Sequence, residues 1–127
     1  MTDNPLLKKL RIKPDQIFAV LHPPAGYLNS LGKLPDGVLV DSELVDRYDL
    51  IHAFFAHFQE LEIQIEDIQT ALVDGGILWI SYPKQSAKQD TDLNRDILRE
   101  SLLNHSLKAV AQISIDDTWS ALRFKTL

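Results

Sequence analysis

Phe58, Leu61, Ile65, Ile68 and Leu72 recur at alternating steps of three and four, with Glu60, Glu62, Gln64, Glu66, Asp67 and Gln69 between them. That period lines one helical face with apolar side chains and leaves the other face to water. Asp74-Gly75-Gly76 follows and predicts the helix stop, with Gly76 in the left-handed cap conformation that glycine adopts without a Cβ clash. Ile77-Leu78-Trp79-Ile80 is then continuously apolar, the composition of a strand covered on both faces, and Pro83 ends it.

The same reading extends along the chain. Pro5 to Arg11 carries Leu6, Leu7 and Leu10 at helical spacing. Ile17 to His22 is an apolar first strand, Tyr27, Leu28, Leu31 and Leu34 line a short helix, and Pro35-Asp36-Gly37 stops it. Gly37 to Asp41 and Asp49 to Phe55 predict strands two and three. Gln85 to Asp90 is polar throughout and predicts an exposed, mobile loop. Thr91 or Asp92 is placed to cap the next helix, whose buried stripe is Leu93, Ile97, Leu98, Leu102 and Leu107. Lys108 to Ile115 and Thr118 to Thr126 form a closing hairpin across Asp116-Asp117.

Strands alternating with helices predict a three-layer α/β fold, with residues 1–127 as one domain. The expected sheet is six-stranded and mostly parallel, ordered 2-1-3-4-6-5, with an antiparallel last strand and helices on both faces.

Composition narrows the function classes. The net charge of −5 argues against a nucleic-acid partner, and the absence of cysteine excludes disulfides, thiolate catalysis and cysteine metal sites. No apolar run is long enough to span a bilayer, and Met1 to Pro5 lacks the layout of a secretory signal, so the expectation is a cytoplasmic protein with no membrane partner. Lys8, Lys9, Arg11 and Lys13 are the one basic cluster, read as a solvated terminal face or a phosphate or acidic-partner site.

In open α/β sheets ligands sit beyond the carboxyl ends of the strands where the strand order reverses, here between strands one and three. The candidate ligand cleft is therefore His22, Pro24, Gly26, Tyr27, Ser81, Tyr82 and Lys84. Lys84 would hold an anion, the tyrosines would stack a ring, and His22 would move a proton near neutral pH. Asp41 stands fifteen residues past Gly26, at the end of strand two, and is either a ribose-binding acid or a turn acid. His52 and His57 share neither face nor spacing for a metal, and no metal site is expected. Sequence alone supports no arrangement of nucleophile, base and orienter, and the catalytic residues are unassigned.

From Phe58 onward the order resembles the C-terminal half of class I S-adenosylmethionine methyltransferases, on Ala71 to Ile80 and more loosely Leu93 to Leu127. The whole chain looks like a small bacterial family of uncharacterised proteins. That likeness rests on Pro24-Ala25-Gly26-Tyr27, Gly76 to Lys84, Thr91 to Asp96 and Asp116 to Phe124. The resemblance implies a Rossmann-like fold, with S-adenosylmethionine as the cofactor to consider. The family's Gly-x-Gly-x-Gly loop would fall at Pro23 to Tyr27, where one glycine stands with two prolines, so the expectation is no cofactor. The functional expectation is a non-catalytic binding or interaction module with a protein partner or a second copy. A small transferase working in the cleft, and a subunit of an assembly, are the alternatives.

Overall fold

The computed structural model describes residues 5–87 and 89–127. Met1 to Asn4, read above for a signal, and Lys88, within the expected Gln85–Asp90 loop, lie outside the described residues. The elements run α1 (Pro5–Leu10), β1 (Ile17–Leu21), α2 (Tyr27–Leu31), β2 (Leu39–Asp41), β3 (Tyr48–Phe54), α3 (Phe58–Ala71), β4 (Leu72–Pro83), a 3-10 turn (Gln85–Ala87), α4 (Arg95–Leu103), β5 (Leu107–Ser114) and β6 (Trp119–Thr126). Six strands pair in the order β2-β1-β3-β4-β6-β5, with β6 antiparallel to both its neighbours and the other pairings parallel. The expected order and the inserted last strand are both present.

Strand alternation divides the core into two layers. On one face Leu61, Ile65 and Ile68 of α3 and Leu98 and Leu102 of α4 cover Ile51, Ala53, Leu78, Ile80 and Phe124. On the other, Leu10, Tyr27 and Leu31 from the short helices α1 and α2 cover Phe18, Val20, Leu50, Phe54 and Trp79. Trp79 Nε1 donates to Leu10 O at 2.9 Å, so the buried indole also satisfies the last carbonyl of α1. The β2-to-β3 connection, Ser42 to Arg47, crosses β1 without a helix and leaves a groove beside α3.

Several local expectations are corrected. The helix that opens at Phe58 ends at Ala71, before the glycine pair, because Leu72 is extended and already pairs with Tyr48, while Arg47 Nη2 donates to Leu72 O at 3.0 Å. The positive φ, +74°, belongs to Gly75, within an irregular stretch of the β3–β4 ladder, and not to Gly76. Helix α2 stops at Leu31 because Gly32 takes φ +65°, leaving Leu34 outside it. The cap of α4 is Asn94, whose Oδ1 accepts from Ile97 N at 2.9 Å. Asp92 serves α3 instead, its Oδ1 accepting from Phe58 N at 2.7 Å. Thr91 Oγ1 donates to Ala56 O at 2.5 Å. Leu93 and Leu107 are buried but flank α4, and Ile97 is exposed.

Candidate functional site

Beyond the carboxyl end of β1 the chain turns sharply. His22 takes φ +54°, Pro23-Pro24 follows, and Gly26 at φ +85° opens α2. That turn sends Tyr27 under the loop. Its hydroxyl lies 2.6 Å from His52 Nδ1 on β3, and His52 Nε2 lies 2.5 Å from Ser81 Oγ on β4. Tyr27 meets His52 edge-on at 5.0 Å between ring centroids, and His52 stacks on Phe54 at 4.2 Å. Two strands and a helix are thus tied by one line of hydrogen bonds.

That line is dry. His52 and Ser81 are fully buried and Tyr27 nearly so. Burial lowers the His52 pKa to about 3, so the imidazole is neutral and one ring nitrogen donates while the other accepts. Burial likewise raises the Tyr27 pKa, which keeps its hydroxyl protonated. In order the groups read serine, histidine, tyrosine, a sequence that could polarise a hydroxyl. With no exposed surface at Ser81 or His52, a substrate has no approach to the oxygen, and the arrangement fastens elements together instead.

The remaining candidates line two open grooves on the α3–α4 face. One, of about 700 Å³, runs between α3 and the Ser42–Arg47 crossover and takes in His22, Glu43, Arg47, Gln64 and Asp67. His22 Nε2 lies 2.6 Å from Gln64 Oε1. Asp41 sits just before this crossover and its Oδ2 accepts from Tyr48 OH at 2.8 Å. The other groove, of about 500 Å³, lies beyond β4 and holds Tyr82, Lys84, Arg95 and Gln112. Lys84 Nζ donates to Ser114 Oγ at 2.7 Å, and Gln112 Nε2 donates to Tyr82 OH at 3.1 Å. Burial is the main cause that raises the Tyr82 pKa, with Arg95 opposing it. The structure therefore joins Tyr27 with Ser81 through His52, and Tyr82 with Lys84, and places His22 apart from both. Pro24 is half-buried and Gly26 exposed on the rim.

Solved structures share this fold. A DhpI–SAH complex superposes at TM-score 0.64, with 15% identity, over 94% of this chain and 81% of its own. A ribosomal protein L11 methylase from Lactobacillus delbrueckii subsp. bulgaricus gives 0.64, with 13% identity, over 94% and 74%. A SAM-dependent methyltransferase from Aquifex aeolicus gives 0.62, with 14% identity, over 96% and 88%. The fold is methyltransferase-like. At these identities the likeness carries the fold and nothing finer. No protein-family model and no curated protein matches the chain.

Within this methyltransferase-like fold, a Cβ added to Gly26 would meet nothing within 4 Å, so the rim of the β1 turn stands open. Among the described residues no group of three His, Cys, Asp or Glu side chains is placed to hold a metal ion. His57 approaches Asp90 and Asp92 only to 3.9 Å, at an exposed site. No described helix is long and apolar enough to cross a membrane. The Tyr27–His52–Ser81 line escaped the sequence reading because its members lie 25 and 29 residues apart, with no spacing that signals a contact.

Proposed function

We propose that this chain is a non-catalytic binding module on a methyltransferase-like fold, with a degenerate adenosyl site. The observation that supports this reading above others is the Tyr27–His52–Ser81 line, which uses up two of the side chains a cleft there would present. The rim agrees. Pro23 and Pro24 bring no N–H to a ligand, and Asp41, the acid at the end of β2, already accepts from Tyr48. These residues do not fit S-adenosylmethionine.

A second reading, a small transferase, draws on the open rim at Gly26 and on neighbours solved with SAH. One titration separates the two. Thermal unfolding of the purified chain with S-adenosylmethionine and S-adenosylhomocysteine is expected to give no saturable rise in Tm. A ligand at a hundred times its Kd would add about 2.7 kcal/mol of stability, an easily read shift. Such a shift would replace the module reading with the transferase one.

A further inference from the structure

Arg123 Nε is buried and has no hydrogen-bond partner among the described residues. Arg123 sits on β6 between Trp79 of β4 and Ala111 of β5. Its neighbours Leu122 and Phe124 point into the α3–α4 core, so its own side chain lies on the α1 face. Two residues on, and on the same face, exposed Lys125 stands directly opposite exposed Lys108. Arg11 reaches this place from α1. The bond from Trp79 Nε1 to Leu10 O fixes the chain one residue before Arg11, over the cross-strand partner of Arg123. Burial, then the Arg11 charge, lowers the Arg123 pKa.

Four cations are gathered here in a chain of net charge −5, and none of them forms an ion pair among the described residues. Like charges directly opposite in a sheet destabilise it, and the buried, unpartnered Nε of Arg123 does so further. The cluster lacks one thing, a set of anionic acceptors. We infer that this surface binds a small multivalent oxyanion of the pyrophosphate or triphosphate class. Arg11 engages its oxygens as a planar fork and Arg123 through its terminal nitrogens, and Lys108 and Lys125 neutralise the remaining charge. The site is on the opposite face of the sheet from both grooves and does not depend on the module reading.

The test is calorimetric and thermal titration of the full chain with inorganic tripolyphosphate and pyrophosphate at low ionic strength, against sodium chloride of matched ionic strength. Saturable binding and a rise in Tm are expected from the oxyanions and not from the chloride. Arg123→Gln and Arg11→Gln are each expected to weaken binding by about tenfold or more. Arg11→Gln should also melt above the parent without anion, because it relieves the repulsion. Lys84→Gln, in the groove beyond β4, should bind as the parent does. No saturable binding, an equal gain from chloride, unweakened binding by Arg11→Gln, or loss of binding in Lys84→Gln would each overturn the inference. Should Arg123→Gln fail to fold, the exposed Arg11→Gln carries the decision.

Discussion

A Cβ placed on Gly76 would stand 2.8 Å from Leu72 Cδ1 and 2.9 Å from Val73 O. Glycine is needed there for space, whereas Gly75 next to it is needed for its positive φ and has open surroundings. Gly76→Val is therefore expected to destabilise the fold by about 1–3 kcal/mol through overpacking against Leu72. Urea midpoints compared with the parent would measure it, and an unchanged midpoint would mean that Leu72 moves aside at little cost. The sequence reading took the glycine pair for a helix stop, whereas both glycines lie inside β4. Which glycine does what was not legible, since that depends on how Leu72 and Val73 pack against Gly76.

Among the elements, the two long helices start in different ways. Asn94 caps its own helix α4, while α3 takes its N-terminal acceptor from Asp92, a residue more than thirty positions ahead in sequence. Asn94→Ala and Asp92→Ala should each cost about 1 kcal/mol, the usual worth of an N-terminal cap. The two losses should differ in location. Amide exchange is expected to quicken in the first turn of α4 for the former and in the first turn of α3 for the latter. Exchange confined to α4 for Asp92→Ala would restore the local cap read from the sequence. Apolar period alone located α3, β1 and the buried half of β4, because each buries a face that must be apolar. It overran at α2 and at the start of α4, where one glycine conformation or one cap decides the boundary.

For the molecule as a whole, His52 couples folding to pH. Its folded pKa is depressed to about 3, below the ordinary value near 6.5. Below pH 6.5 the unfolded chain takes up a proton that the folded chain refuses. The contribution of neutral His52 is thus complete above about pH 6.5 and is lost as pH falls toward 3, by about 1.4 kcal/mol per pH unit. The unfolding free energy of the parent relative to His52→Gln, followed from pH 7.5 to 4, should fall by that slope below about pH 6.5. Parallel curves would show His52 protonating inside the folded chain.

The order of apolar runs and turns determined the α/β class, the strand order and the inserted β6, because right-handed crossovers and two-sided burial leave few ways to lay such a chain down. Residue types also marked Tyr27, Ser81, Tyr82 and Lys84 as polar groups at the carboxyl ends of strands. Only the tertiary structure decided that Tyr27 and Ser81 turn inward to His52, while Tyr82 and Lys84 line a groove on another part of the sheet. It alone set Arg11, one residue past the Leu10 carbonyl that Trp79 holds, near Arg123, the cross-strand partner of Trp79. A side chain's face follows from local period, but its partner follows from where distant strands and loops meet, and no local pattern encodes that meeting.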